Sequence, residues 1–163
     1  MLDLGCGPAT NLKLSPDKIT SFCGIEYNES LVDELNSKYS NASFYQEDLE
    51  KDILDFGKKF DRVLLIAVIE HVFNQKHLFE QISHVLKPGS KIIITTPTVF
   101  GNDLIHRIGG KFGIFSKDAS DDHIIIFNKM RFQILANEFN LRIEKYKKFQ
   151  FGCNQLVILV KNI

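Results

Sequence analysis

Apolar positions along this chain fall into two periods, and the two periods themselves alternate. Leu2-Asp3-Leu4 is a short apolar run that enters Gly5-Cys6-Gly7, the form of a buried strand running into a glycine turn. Ser21 to Glu26 reads as a second strand and Ala42 to Tyr45 as a short third. Between them, Glu29 to Lys38 places Leu31, Val32 and Leu35 on one helical face. Phe60 to Ala67 is a nearly continuous apolar run, as expected of a strand covered on both sheet faces. Gln75 to Leu86 then carries Leu78, Ile82 and Val85 at helical spacing. Lys87-Pro88-Gly89 is expected to stop that helix before a fifth strand, Lys91 to Thr96.

Alternation of this kind implies right-handed crossovers and a doubly wound, Rossmann-like parallel sheet of the α/β class. The pattern breaks at Pro97 to Asp122, which is rich in Gly, Asp and Ser and holds one weak helical stretch, Asp103 to Ile108. Loops this long in compact domains are usually functional. Met130 to Phe139 resumes as a helix. Leu141 to Gln150 and Cys153 to Val160 read as two strands joined at Gly152, an antiparallel hairpin closing one sheet edge. The expected organisation is a single domain over residues 1–163, with 97–122 as a substrate-side lid insertion.

Composition narrows the classes of partner. At 163 residues, 44% hydrophobic and 25% charged, the chain can bury roughly two thirds of its unfolded surface in one core. Lys plus Arg equals Asp plus Glu at 20 each, so no global field steers it to nucleic acid or anionic membrane. Lys145, Lys147 and Lys148 read as a solvated strand face. The three cysteines (Cys6, Cys23, Cys153) are scattered without CxxC spacing, against a disulfide framework or a metal site and in keeping with a reducing cytosol. No apolar stretch reaches the roughly 18 residues of a membrane helix, so a cytoplasmic location is expected. Oligomeric state is not readable.

The chemistry sits in the glycine turn and in two acids. Gly7 and Glu26 are 19 residues apart, and Glu26 ends the second strand; a carboxylate there can accept from both hydroxyls of a ribose. A dinucleotide fingerprint needs a third glycine, which packs the helix beneath a pyrophosphate. Here that position is Thr10, in Gly5-Cys6-Gly7-Pro8-Ala9-Thr10. S-adenosylmethionine (SAM) has no phosphates and tolerates such a loop, so it is favoured over NAD. Asp48, after the third strand, could accept from an adenine amino group with Leu49 against the ring; its other reading is a helix N-cap.

These stretches, in this order, resemble the class I SAM-dependent methyltransferases, especially the small-molecule group of ubiquinone and menaquinone biosynthesis. The matching segments are Leu2 to Gly7, Gly24-Ile25-Glu26, Glu47-Asp48-Leu49, Phe60 to Leu64, Val68-Ile69-Glu70-His71-Val72 and Leu86 to Gly89. The resemblance implies that Asp3, Gly5, Cys6 and Gly7 surround the methionine part of SAM. It implies Glu26 on the ribose and Asp48 on the adenine, with main-chain groups of Leu65 and Ile66 completing the pocket. It also implies a seven-stranded mixed sheet of order 3-2-1-4-5-7-6 with strand 7 antiparallel. The family's N-terminal helix, which covers the cofactor, is expected to be missing here.

Methyl transfer is an in-line displacement at an activated sulfonium, so the protein mainly positions the acceptor and, for a hydroxyl, removes its proton. Neither Asn-Pro-Pro-Tyr nor Pro-Cys follows the fourth strand, which reads Ile66-Ala67-Val68-Ile69-Glu70-His71. That argues against amino methylation of bases and against covalent cytosine chemistry. The expected partner is a small-molecule acceptor methylated on O, N or C, not nucleic acid. A non-catalytic, methyltransferase-like binding or interaction module and a nicotinamide enzyme on a similar sheet remain alternatives.

Two histidines are catalytic candidates. His71 is expected to open the helix after the fourth strand, as a general base or as a structural hydrogen bond. His123 ends the long loop behind Asp121-Asp122, where it could face the acceptor. His106 with Arg107 could meet an anionic acceptor, and Phe112 and Phe115 could line an apolar one. His77 and His84 lie off their helix's apolar stripe and are expected to be exposed.

Overall fold

The computed structural model describes residues 1–14, 19–101 and 125–163. Seven strands form one sheet: β1 (Leu2–Leu4), β2 (Phe22–Glu26), β3 (Ala42–Gln46), β4 (Phe60–Ile66), β5 (Leu86–Pro97), β6 (Leu141–Phe149) and β7 (Asn154–Lys161). Their order is β3-β2-β1-β4-β5-β7-β6. Strands β1 to β5 pair in parallel, and β7 runs antiparallel to both neighbours, as the sequence predicts. The α-helices among the described residues are α1 (Thr10–Leu14), α2 (Glu29–Lys38), α3 (Gln75–Val85) and α4 (Lys129–Glu138).

Two apolar clusters cover the sheet. Phe79, Ile82 and Phe132, from α3 and α4, pack with Leu2, Ile25, Leu65 and Ile92. Leu12, Val32 and Leu35, from α1 and α2, pack with Phe22 and Phe44. Phe22 and Cys23 enter opposite clusters, the two-residue alternation of a strand covered on both sides. Gly24 faces the second cluster; a Cβ there would stand 2.6 Å from the Phe44 ring and 2.8 Å from Cys6 Sγ. Each longer helix starts behind an asparagine. The side chains of Asn28, Asn74 and Asn128 accept from the N–H groups of Leu31, His77 and Arg131 at 3.1, 3.1 and 3.0 Å, satisfying donors that a helix leaves open at its first turn.

Several expectations are corrected. Lys87-Pro88-Gly89 is not a loop ahead of β5: the strand starts at Leu86, directly after α3, and Leu86 pairs with Phe60. The register shifts between Phe60 and Arg62, and Gly89 has φ +73°, so the chain absorbs the Pro-Gly step as a local irregularity of a paired strand. The start of β4 is exposed at Asp61 and Arg62, and Asp61 takes both contacts from Lys87 Nζ at 3.0 Å. The hairpin joint is a 3₁₀ turn over Gln150–Gly152 rather than Gly152 alone. His77 is partly buried, with Nε2 shielded from solvent. The weak helix expected at Asp103 to Ile108 and nearly all of the 97–122 insertion lie outside the described residues.

Candidate functional site

The site lies at the carboxyl ends of β1, β2 and β4, where parallel strands of an open sheet leave a crevice. The turn after β1 winds through three left-handed positions, Gly5 (φ +68°), Gly7 (φ +49°) and Ala9 (φ +55°). Glycine takes that conformation without strain; at Ala9 the Cβ makes it costly, by about 1 kcal/mol or more. Gly5 is needed twice over, since a Cβ there would stand 2.6 Å from Val68 Cγ2. Cys6 takes part through its main chain, its N–H donating to the Ile25 carbonyl at 2.8 Å. Burial pushes its thiol up to about 12, so it is no thiolate nucleophile.

Glu26 is the hub of the site. Its Oε2 accepts from the Gly7 N–H at 3.0 Å, and its Oε1 accepts from the N–H groups of Tyr27 and Asn28 at 2.9 and 3.0 Å. One carboxylate thus ties the glycine turn to the loop entering α2.

Asp3 stands beneath the turn, 1% exposed. Asn11 Nδ2 donates to its Oδ2 at 3.0 Å, while Oδ1 has no hydrogen-bond partner among the described residues. Burial raises its carboxyl from the usual 3.8 to about 6. A buried acid with an orphaned oxygen costs stability, and beneath the glycine turn it is a candidate for meeting a ligand's donor.

Asp48 caps a turn, and no helix follows it before β4. Its Oδ1 accepts from the Glu50 N–H at 2.9 Å, and its carbonyl accepts from Lys51 and Asp52 at 3.0 and 2.8 Å. Lys51 Nζ, 2.8 Å from Oδ2, holds the carboxyl below its usual range.

A cavity of about 350 Å³ opens between these groups, within the range of small-ligand sites. Of the sequence candidates, Gly5, Glu26, Asp48, Leu49 and His71 line it; Asp3, Cys6, Gly7, Leu65 and Ile66 do not. Leu65 and Ile66 are still paired in β4 with Ile94 and Thr95, and the wall is made just beyond them by Ala67 and Val68. Ala67 has φ +56°, and its N–H donates to the Thr95 carbonyl at 2.9 Å. His71 does not open α3, as expected from sequence. It closes a turn in which its N–H donates to the Val68 carbonyl at 2.9 Å, four residues ahead of the helix.

Tyr27, Val68 and Val72 also line the cavity and were not singled out from sequence. Tyr27, 69% exposed, had a signal in its place directly after the strand-end acid. Val68 is detectable only through its contact with Gly5. Glu70 is 1% exposed and does not line the cavity; burial raises its carboxyl, and its carbonyl accepts from the Ile125 N–H at 3.3 Å. His123, His106, Arg107, Phe112 and Phe115 lie outside the described residues. No described helix is long and apolar enough to cross a membrane.

Comparison with known proteins shows the family of the chain. A family model described as "Methyltransferase domain" matches residues 2–94, more than half of the chain. The chain is 26% identical over 157 residues to the methyltransferase-named protein 235L of Invertebrate iridescent virus 6, covering 91% of this chain and 57% of that protein. It is 30% identical over 112 residues to a mitochondrial ubiquinone biosynthesis O-methyltransferase of Dictyostelium discoideum, covering 59% of this chain and 34% of that enzyme. The chain therefore spans little more than half, or less, of these curated relatives. The plantazolicin methyltransferase BpumL, solved in complex with a triazolic desmethylPZN analog and SAH, superposes with a TM-score of 0.78 at 18% identity, over 99% of this chain and 76% of that one.

Proposed function

Because the chain belongs to the methyltransferase-domain family, a family of SAM-dependent enzymes, we propose that it moves a methyl group from SAM to an oxygen, nitrogen or carbon atom of a small-molecule acceptor. The observation that carries this reading is the sign of the cavity. Its described lining holds three carboxylates, Glu26, Glu47 and Asp48, and no lysine or arginine. A pyrophosphate would be repelled there, whereas a ligand with a sulfonium and an ammonium but no phosphate suits it.

The residues present fit SAM in other respects. Glu26, already oriented by three N–H groups, keeps one lone-pair site, on Oε2, for a ribose hydroxyl. The orphaned Asp3 Oδ1 suits the methionine ammonium, and Asp48 with Leu49 suits the adenine edge and face. When bound, SAM supplies the methyl group on a positively charged sulfur. The chain's own work is to hold that carbon in line with the acceptor and to keep bulk water out. For a hydroxyl acceptor, His71 at the cavity wall is the group that takes the proton.

Calorimetric titration tests the cofactor. Saturable heat with SAM and S-adenosylhomocysteine, and none with NADH, is expected; the reverse pattern overturns the reading. Screening acceptors for release of S-adenosylhomocysteine then tests catalysis. Binding without turnover across O, N and C acceptors would favour a non-catalytic module.

A further inference from the structure

A second cavity, of about 430 Å³, lies between the segment leading into β4 and the carboxyl-terminal half of α3. It shares no lining residue with the cofactor-side cavity. Its apolar side is Leu54 and Val85, both buried, with the exposed Ile53 at the rim. Its polar side is rich in donors. Lys58, Lys59 and His84 line it together with Gln81, whose Oε1 is taken by the Leu54 N–H at 3.2 Å, leaving its amide N–H groups as donors.

Asp55 is the one acid in this lining, and its Oδ1 accepts from the Gly57 N–H at 3.0 Å. Among the described residues neither Lys58 nor Lys59 forms an ion pair. Positive charge accumulates further behind them. The Lys161 ammonium donates to the Ser83 and Leu86 carbonyls at 2.7 and 3.3 Å, and burial together with the charge of Lys59 lowers its proton affinity. Gly57 (φ +60°) stands in open space, with nothing within 4 Å of a built Cβ.

We propose that this cavity binds an organic anion: a phosphate or carboxylate head held by Lys58, Lys59 and His84, with an apolar body against Leu54 and Val85. Lysines with no acidic partner, Lys58 resting over the Phe60 ring at 5.6 Å, beside an apolar floor complement that chemistry, since the head gains charge-assisted hydrogen bonds while the body leaves water. An ammonium-headed ligand of the same shape would meet like charge. This does not rest on the cofactor reading.

The test is titration of the full chain with phenyl phosphate and, separately, phenylacetate, with and without saturating S-adenosylhomocysteine. Either ring-bearing anion should bind saturably and equally well in both conditions, and the tighter of the two identifies the head. The double variant Lys58→Glu/Lys59→Glu should weaken it by about tenfold or more, the loss of one to two charged hydrogen bonds, and leave S-adenosylhomocysteine affinity unchanged. Benzylammonium should not bind. Comparable binding of benzylammonium, displacement by S-adenosylhomocysteine, an unaffected double variant, or no binding of either anion would each overturn the proposal.

Discussion

The Gly7 N–H donates to Glu26 Oε2 at 3.0 Å, across 19 residues of chain. The contact exists because β1 and β2 pair in parallel, with Leu4 opposite Ile25, so the turn after one strand and the acid ending the next arrive side by side. Glu26→Ala removes the proposed ribose acceptor and the partner of three N–H donors at once. S-adenosylhomocysteine affinity should fall by about a hundredfold, read by calorimetry. Glu26→Gln, which keeps one acceptor oxygen, should lose less; equal losses in the two variants would mean that shape, not the carboxylate, matters.

Asp3 sets stability against binding. Its carboxyl is raised from 3.8 to about 6 by burial, so the folded chain holds this proton more tightly than the unfolded chain. The stability linked to protonated Asp3 is full below about pH 4 and is lost as pH rises through 6; a shift of roughly 2 units corresponds to about 3 kcal/mol at most. Asp3→Asn should therefore flatten the fall in stability between about pH 4 and 7 in urea unfolding. Cofactor affinity should respond in the opposite direction, strengthening over that window in the parent protein and staying weak in Asp3→Asn. A parent protein as stable at about pH 7 as at about pH 4 would contradict the assignment.

His71→Gln separates catalysis from binding. A base that acts on the acceptor should cost about a hundredfold in kcat, with S-adenosylhomocysteine affinity changed by less than about twofold. Loss of cofactor affinity in parallel with kcat would instead make His71 part of the cavity's architecture.

Asn36 closes the β3 edge of the sheet. Its Oδ1 accepts from the Phe44 N–H at 3.0 Å and its Nδ2 donates to the Phe44 carbonyl at 2.9 Å, filling mid-strand the pairing groups that an edge leaves open. Asn36→Ala should cost about 1–3 kcal/mol in urea unfolding and promote self-association in sedimentation. A stable, monodisperse variant would show that the edge needs no such plug.

Much of this was legible because it is local. The 3.6-residue stripe of Val32 and Leu35 gave α2 with its observed ends, and the apolar run at Phe60 gave β4. The strand alternation, with its terminal hairpin, led to the sheet order through the family resemblance. Misreadings occurred where tertiary pairing overrode a local signal. Lys87-Pro88-Gly89 carries a strong turn signature, yet pairing of Leu86 with Phe60 draws it into β5. His71 reads as a helix start, yet the Asn74 cap places that start at Gln75. Asp48 satisfied both of its readings in part: it caps a turn and lines the cavity.

The sequence by itself determined the class of fold, the glycine turn, and the two acids Glu26 and Asp48 beside the cavity, because periodicity and backbone freedom are properties of neighbouring residues. Only the tertiary structure decided that Gly5 must make room for Val68, that Asp3 is buried with one oxygen unpartnered, and that the described cavity lining carries three carboxylates and no lysine or arginine. Those facts depend on which strand ends lie side by side. No local window of sequence contains the distance between a turn after β1 and a turn after β4.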